Sequence, residues 1–190
     1  TDAEWRLIDP YGNQVFQRTF NGDQAEVTLI DTGTYTLLIE GRRSAGGVNA
    51  FSFNVQFNGN TPPVAFAGDP LPFGTTMNGA ISATGEQDRY VFSVAERTRI
   101  YVDSLTTNGV NWTLAGPGGT WVANRGFTGT DSNDALSVLN LVPGTYQFTV
   151  AGSVATYAFR LLDLAAAQAI TPGTPVSGQL SPANETDLYR

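Results

Sequence analysis

Two stretches of this chain share one pattern and decide how it folds: VPGTYQFTVAG at residues 142–152 and DTGTYTLLIEG at residues 31–41. Both contain Gly-Thr-Tyr followed by apolar side chains at every second position. A period of two is typical of a β-strand with one buried and one exposed face. Pro143-Gly144 is a turn dipeptide. Each stretch is therefore predicted to be a turn that leads into a strand.

The tripeptide Asp31-Thr32-Gly33 also resembles the catalytic motif of aspartic proteases. Such an enzyme needs two carboxylates that face each other, and the sequence holds one Asp-Thr-Gly and no second. At the matching place in the later stretch stands Val142-Pro143, so the acid is not part of the shared pattern. We predict that the tripeptide is a turn.

The similarity extends along the chain in four blocks that keep their order. The aligned pairs are EWRLIDPYGNQVF (4–16) with NWTLAGPGGTWVA (111–123), 31–41 with 142–152, FSFNVQF (51–57) with YAFRLLD (157–163), and GTTMNGAISATGEQDRY (74–90) with GTPVSGQLSPANETDLY (173–189). Self-similarity of this kind predicts a repeated module. Its length is roughly one hundred residues, an ordinary domain size.

The repeat predicts how the chain is divided. A complete module covers 74–164, an incomplete module with only the later blocks covers 1–57, and the opening strands of a further module cover 173–190. A Pro-rich connector is expected at 58–73 and a second connector at 165–172, with at most one helical turn in LLDLAAAQAI (161–170). An incomplete module exposes an apolar face and an open sheet edge. We therefore expect 1–57 to be completed by another segment, such as 173–190 of the same or a neighbouring chain.

Composition supports an all-β chain and excludes several kinds of chemistry. The 190 residues include 21 Gly and 10 Pro, many for a helical protein, and apolar runs that alternate as in antiparallel sandwiches. There is no Cys and no His, so Ser-His-Asp, Cys-His and thiolate or imidazole metal sites are excluded. The net charge of −7 disfavours nucleic acid as a partner. No apolar stretch is long enough to span a membrane.

Residues 74–164 resemble the bacterial pre-peptidase C-terminal domain. The motifs that carry this resemblance are Asp88-Arg89-Tyr90 before an aromatic strand, Pro117-Gly118-Gly119-Thr120, Pro143-Gly144-Thr145-Tyr146, and the closing YAFRLLDL strand. The resemblance implies a jelly-roll-like antiparallel β-sandwich that is not catalytic and occurs in secreted bacterial proteins, often beside protease or adhesin modules. It also implies that some relatives bind Ca²⁺ or insoluble polymers such as collagen. The acidic run TGEQDRY is thinner here than in Ca²⁺-binding relatives.

Aromatic residues provide one set of candidate sites. Trp5 and Trp112 occupy matching positions and are predicted to lie in the core. Trp121 has Gln14 as its counterpart and, by alternation, should point outward. Together with the loop residue Tyr11, it could stack on a sugar or peptide, or it could pack against a neighbouring module or the connector.

Carboxylates provide the other set. They lie in three short loops: Glu86 with Asp88, the equivalent Glu185 with Asp187, and Asp131 with Asp134. A hard cation bound by oxygen, with Ca²⁺ the usual choice, is the one cofactor that such loops could hold. Short Asp and Asn loops also stabilise turns without any metal.

The sequence thus predicts a non-catalytic repeat segment of a larger secreted or cell-surface bacterial protein. Its role would be that of a spacer, an adhesion module or a substrate-targeting module. Its expected partners are neighbouring copies of the module, with strand exchange between chains, and a polysaccharide or protein polymer. One alternative is a C-terminal processing or targeting appendage of a secreted hydrolase. Another is an enzyme that uses carboxylates alone, which needs two carboxyl groups roughly 5–9.5 Å apart in a cleft.

Overall fold

The computed structural model describes residues 3–62, 64–131 and 138–190. The described residues form strands and short 3₁₀ turns, which include Phe127–Gly129 and Leu164–Ala166, and contain no α-helix. The second of these turns is the single helical turn expected within 161–170. The chain divides into two compact units, Thr1–Pro62 and Pro63–Arg190. The predicted all-β class is confirmed.

The first unit contains one antiparallel sheet. Its strands are β1 (Ala3–Ile8), β2 (Gln14–Thr19) and β3 (Thr36–Gly41), in the order β2-β1-β3. The turn between β1 and β2 is closed by the side chain of Asp9, whose Oδ1 accepts the backbone N–H groups of Tyr11 and Asn13 at 2.8 and 2.7 Å. This Asx turn and the following Gly12, with φ of +88°, reverse the chain.

The second unit is a two-layer sandwich. Its strands are β4 (Asp69–Pro70), β5 (Met77–Ile81), β6 (Gln87–Val94), β7 (Thr98–Ser104), β8 (Val110–Gly116), β9 (Gly119–Gly126), β10 (Val138–Leu141), β11 (Gly144–Gly152) and β12 (Ala155–Asp163). One sheet has the order β4-β6-β11-β8-β9 and the other the order β10-β7-β12-β5. Among the described residues, pairs of these strands are antiparallel except that of β4 with β6.

Aromatic side chains join the two sheets of the sandwich. The ring of Phe148 on β11 stacks on Trp112 at 5.0 Å and on Phe159 of the opposite sheet at 4.7 Å. All three side chains are buried. Fully burying a large apolar side chain stabilises the fold by roughly 1.5–3 kcal/mol. The predicted core position of Trp112 is confirmed, whereas Trp5 in the first unit is only partly buried.

The sheets of the two units pair alike around Trp5 and Trp112. Nearer the first turn they differ, because Leu7 lies opposite Phe16 but Leu114 lies opposite Val122. Trp5 lies opposite Arg18 and Ile39, and Trp112 lies opposite Arg125 and Val150. Ile39 and Val150 occupy aligned positions in 31–41 and 142–152, and Arg18 and Arg125 each lie two residues beyond the aligned blocks 4–16 and 111–123. The first sheet, β2-β1-β3, therefore corresponds to the β9-β8-β11 part of the five-stranded sheet.

The two Gly-Thr-Tyr stretches form the same corner. The hydroxyl of Tyr35 donates to the carbonyl of Asp31 at 3.1 Å, and that of Tyr146 donates to the carbonyl of Val142 at 2.8 Å. A tyrosine that bonds back to the backbone a few residues upstream is the tyrosine corner of β-sandwiches. The predicted turn at Asp31-Thr32-Gly33 is confirmed.

One predicted strand is wrong. Residues 51–57 form no strand, and their apolar side chains are exposed, from 49% for Phe53 to 81% for Phe57. The aligned strand in the second unit, β12, pairs on its two edges with β5 and β7. The blocks aligned within 1–57 include no counterpart of β5 or β7. Alternating apolar residues therefore do not form a strand there, because the backbone N–H and C=O groups of a strand need hydrogen-bond partners on a neighbouring strand.

Parts of both expected connectors also belong to the second unit. Within 58–73, Asp69 pairs in parallel with Tyr90, and Leu71 is buried. Within 165–172, Gln168 forms a parallel bridge to Tyr189, and the N–H of Ile170 donates to the carbonyl of Arg190 at 2.8 Å. The Pro-rich composition did not indicate these pairings because each rests on only two or three residues.

Candidate functional site

Trp121 does not point outward as alternation predicts. Its ring packs edge-on against Tyr146 at 5.8 Å, and its Nε1 donates to the carbonyl of Pro117 at 2.9 Å. The cause is a register shift between β8 and β9: Ala115 pairs with Thr120 and Leu114 with Val122, so Trp121 is the extra residue of a bulge. A bulge redirects a side chain. The indole covers the core of the second unit.

Tyr11 lies where a loop aromatic was expected. It occupies the Asx turn between β1 and β2, and 52% of its surface is exposed. It belongs to the first unit and Trp121 to the second. Ligand binding by either residue stays a prediction.

Both glutamates that were predicted as metal ligands stabilise turns. Oε2 of Glu86 accepts the backbone N–H groups of Ser82 and Ala83 at 2.5 and 2.8 Å. In the aligned loop, Oε1 of Glu185 accepts the N–H of Ser181 at 2.9 Å. These contacts satisfy N–H groups at the start of a tight loop, which is the metal-free role that the sequence left open.

Asp88 belongs to a chain of hydrogen bonds between the two sheets. The hydroxyl of Tyr157 donates to Oδ2 of Asp88 at 2.5 Å, and the hydroxyls of Tyr157 and Tyr90 are 2.6 Å apart. Burial, the contact with Asp88 and that with Tyr90 raise the pKa of Tyr157. Gly79 allows this arrangement, because a Cβ there would lie 2.3 Å from the ring of Tyr157.

Asp131 is buried beside β7. Its Oδ1 accepts from the hydroxyl of Tyr101 at 2.9 Å and its Oδ2 accepts from the N–H of Ser104 at 2.6 Å. Burial, followed by the hydrogen bond with Asp131, raises the pKa of Tyr101 to about 12. Asp134 lies outside the described residues, and Asp187 is exposed.

The described residues contain no group of three or more acidic side chains able to hold a metal ion. The structure therefore does not bring Glu86, Asp88 and Asp131 together. Calcium binding through these loops stays a prediction, and calorimetry with Ca²⁺ after chelator treatment would test it.

A cluster of charged side chains in the second unit was not predicted from the sequence. The guanidinium of Arg160 on β12 lies 2.5 Å from Oδ2 of Asp103 on β7 and 3.4 Å from Oε2 of Glu185. It also donates to the carbonyl of Thr186 at 3.1 Å. Asp103 is fully buried. Burial raises the pKa of Asp103, and the hydrogen bond and charge of Arg160 oppose this effect.

This cluster, which we term the Arg160 joint (Asp103, Arg160, Glu185 and Thr186), connects the sandwich to the segment 181–190. The amide of Asn184 adds a contact, since its Nδ2 donates to the carbonyl of Ser104 at 3.3 Å. The sequence contained a signal for this cluster: Asp103 interrupts the apolar residues of β7, and Arg160 interrupts the apolar residues of β12. Their pairing across two strands could not be read without the register.

An open groove of about 470 Å³ lies beside the β5–β12 edge. Its polar lining consists of Asn78, Thr106, Thr107, Asn108, Thr156 and Tyr157. None of the lining residues is a carboxylate, so the groove offers hydrogen bonds and not acid-base chemistry.

Fold and site together define a β-sandwich with a tyrosine corner and a charged joint. No family model matches the chain, and no curated protein matches it. Among the described residues, no helix has the length and apolar character needed to cross a membrane.

Several solved structures are similar to part of the chain. The crystal structure of Salmonella Typhimurium PliG, a periplasmic lysozyme inhibitor of g-type lysozyme, is 17% identical over 50% of this chain and 95% of that chain, with a TM-score of 0.39. The pre-peptidase C-terminal domain of collagenase from Bacillus anthracis is 21% identical over 54% of this chain and 99% of that chain, with a TM-score of 0.36. The second is a domain of the class that the motifs of 74–164 resemble.

Proposed function

We propose that this chain is a non-catalytic spacer, a segment of repeated β-sandwich modules in a larger secreted or cell-surface bacterial protein. The observation that carries the proposal is the Arg160 joint. A charged, largely buried cluster ties the complete sandwich to the segment 181–190, which aligns with the opening of that same sandwich. A joint of this kind would hold successive modules at a fixed orientation, as a spacer requires.

Matching hydrogen bonds support the assignment of 173–190 as the opening of a further module. The N–H of Leu71 donates to the carbonyl of Val91 at 2.9 Å, as that of Ile170 does to Arg190 at 2.8 Å. The parallel pair of Asp69 with Tyr90 likewise has its counterpart in the bridge between Gln168 and Tyr189. The segment thus begins to fold as β4 and β6 do. The secreted or surface location rests on the family resemblance of 74–164.

The carboxylate-only enzyme is the less favoured reading. Asp88 and Asp131 accept hydrogen bonds from the hydroxyls of Tyr157 and Tyr101, and Asp103 is paired with Arg160. The groove at the β5–β12 edge has no carboxylate in its lining. A role as the appendage of a secreted hydrolase would use the same rigid joint, and it differs only in what the chain is attached to.

Backbone ¹⁵N relaxation of the full chain tests the spacer. The proposal expects residues 183–190 to have order parameters of about 0.85, the value of rigid backbone and that expected for β7 and β12. Arg160→Met should lower the values of 183–190 while leaving those of β8 and β11 unchanged. Order parameters below about 0.6 for 183–190 in the unmodified chain would exclude a rigid joint.

Adhesion is a second candidate, favoured by the amides and hydroxyls of the groove, which suit a polysaccharide. Co-sedimentation with cellulose, chitin and collagen tests it. Binding to one polymer that is lost in Asn78→Ala and kept in Tyr11→Ala would assign adhesion to the groove, and the reverse result would assign it to the Asx turn of the first unit. No binding to any of the three would leave the spacer as the role to pursue.

A further inference from the structure

Among the described residues, the first unit has no strand partner at two places that are filled in the second. β3 is an edge strand, because the order of its sheet is β2-β1-β3. Its counterpart β11 is paired on both sides, by β8 and by β6. The edge of β3 that is left open therefore corresponds to the edge of β11 that β6 occupies.

The second unfilled place is the apolar row of 51–57. Phe51 and Phe53 are 55% and 49% exposed, whereas the aligned Tyr157 and Phe159 on β12 are 3% and 0% exposed. In the second unit this row is flanked by β5, with Tyr157 opposite Gly79 and Phe159 opposite Met77. An exposed apolar row whose backbone is not paired is a surface on which a further strand can bind.

The two missing partners are consecutive in sequence. β5 and β6 follow one another in the second unit, and one belongs to each sheet of the sandwich. One segment of this type could therefore fill both places. Among the described residues, β5 and β6 are already paired, and the remaining segment with their pattern is 173–190.

The segment 173–190 presents the edge that such pairing needs. In the second unit β6 lies between β4 and β11. Leu188 and Arg190 already bond to Gln168 and Ile170 on the side that corresponds to β4. The opposite side, which corresponds to the contact with β11, is not paired with a strand in the described chain.

We propose that the first unit binds the 173–190 segment of a second copy of this chain by strand addition. This inference rests on the proposed repeat and fixes its register. Tyr90 and Arg89 lie opposite Phe148 and Thr149, which places Tyr189 opposite Leu37 and Leu188 opposite Leu38. Likewise, Gly178 is placed opposite Phe51 and Val176 opposite Phe53.

The association runs head to tail. Each copy has a binding site in its first unit and the segment that fills such a site, 173–190, in its second. The contact is therefore heterologous, and it leads to rings or open chains rather than to a closed two-fold dimer. Main-chain hydrogen bonds supply the attraction, and the alternating side-chain pockets supply the register. In a longer protein, a segment of the same pattern could bind at the open edge of β3 and the apolar row of 51–57.

Disulfide trapping between two single variants tests the register and the partner together, because the sequence contains no cysteine of its own. Leu38→Cys is mixed with Leu188→Cys under mild oxidation, so that a mixed disulfide can form only between two copies. The matched control replaces Leu188→Cys with Arg190→Cys, which the register places opposite Thr36. Directly opposite Cβ atoms lie about 4.5–5.5 Å apart and diagonal ones about 7–8 Å, and disulfides need short Cβ separations.

The expected result is a 38–188 dimer at least tenfold more abundant than the 38–190 dimer and the 38–38 dimer. Equal yields of all three would indicate random collision and overturn the proposal. A chain carrying both Leu38→Cys and Leu188→Cys that closes on itself as a monomer would overturn the choice of a second copy. Circular dichroism of each variant verifies the fold.

Hydrogen exchange of the unmodified chain provides a second readout that needs no variant. Amides of 51–57 should become at least tenfold more protected between dilute and concentrated samples, together with a rise in sedimentation coefficient. Unchanged exchange and a constant monomer would overturn the strand addition. Such a failure is distinguishable from failure of the spacer, because the order parameters of 183–190 are measured on the dilute monomer.

Discussion

The hydroxyl of Tyr146 donates to the carbonyl of Val142 at 2.8 Å, four residues upstream, and Tyr35 makes the same bond to Asp31. The bond fixes the chain as it leaves the turn and enters β11 or β3. Two stretches whose turn residues differ thus reach one geometry. The shared element of the pattern is the tyrosine, and Asp31 takes part through its backbone.

We expect Tyr146→Phe to lower the free energy of unfolding by about 1–2 kcal/mol, because a buried carbonyl loses its hydrogen-bond donor. Tyr146 is fully buried and Tyr35 is only partly so. Tyr35→Phe should therefore cost less, since water can replace the hydroxyl there. Urea unfolding of both variants measures the difference, and an equal or larger effect of Tyr35→Phe would contradict this account.

The glycine of the same motif makes a further prediction. Gly144 has φ of +150°, and a Cβ on it would lie 2.3 Å from Cγ of Pro117; at Gly33 a Cβ would lie 2.8 Å from Pro10. Gly144→Ala combines backbone strain with overpacking, so a loss of about 1–3 kcal/mol is expected.

Gly129→Ala is the matched control for this substitution. No atom lies within 4 Å of a Cβ built there, and its φ is outside the left-handed region. Thermal unfolding should show a lower Tm for Gly144→Ala and a nearly unchanged Tm for Gly129→Ala. Equal midpoints for the two variants would show that the contact with Pro117 is not restrictive.

Features that depend on neighbouring residues along the chain can be predicted from the sequence, and features that depend on partners in distant strands cannot. Strand alternation and the turn at the Gly-Thr-Tyr stretch are local, and they were predicted, whereas the hydrogen bond of the tyrosine hydroxyl was not. The inward turn of Trp121 was missed because it depends on a register shift between β8 and β9. The strand at 51–57 was predicted wrongly because its formation depends on partner strands and not on its own alternation. The Arg160 joint required knowledge of which strands are neighbours.

Alkaline pH should destabilise the fold through its buried phenols. The pKa of Tyr101 is raised from 10.0 to about 12 in the folded chain, mainly by burial. A raised pKa means that the neutral phenol stabilises the fold fully below pH 10, and that this contribution is lost as the pH rises through 10 to 12. Burial raises the pKa of Tyr157 and Tyr90 as well.

Urea unfolding at pH 9, 10 and 11 measures this loss. The free energy of unfolding should fall with pH in the unmodified chain and fall less steeply in Tyr101→Phe, which has no phenol to ionise at that position. Absorbance at 295 nm reports the ionisation directly. If the slopes of the two proteins were the same, the pKa of Tyr101 would not differ between the folded and unfolded chains.

The pair of Asp103 and Arg160 makes the last prediction. Asp103 is fully buried and the side chain of Arg160 is 17% exposed, with their charged atoms 2.5 Å apart. Arg160→Met leaves a buried carboxylate without its cation, and removal of one partner from such a pair typically costs about 3–5 kcal/mol. Asp103→Asn should cost less, because the more exposed guanidinium keeps Glu185 as a partner at 3.4 Å.

The double variant Asp103→Asn with Arg160→Met separates charge from packing. It should be more stable than Arg160→Met alone, because no uncompensated charge remains. The loss in free energy of unfolding caused by Arg160→Met should also shrink toward pH 4, because Asp103 can then be protonated. Burial already raises the pKa of Asp103 above its usual value, and loss of the cation raises that pKa further. Additive effects of the two substitutions at every pH would mean that the ion pair is not coupled, and that the joint is held by the contacts of Asn184 and Thr186 instead.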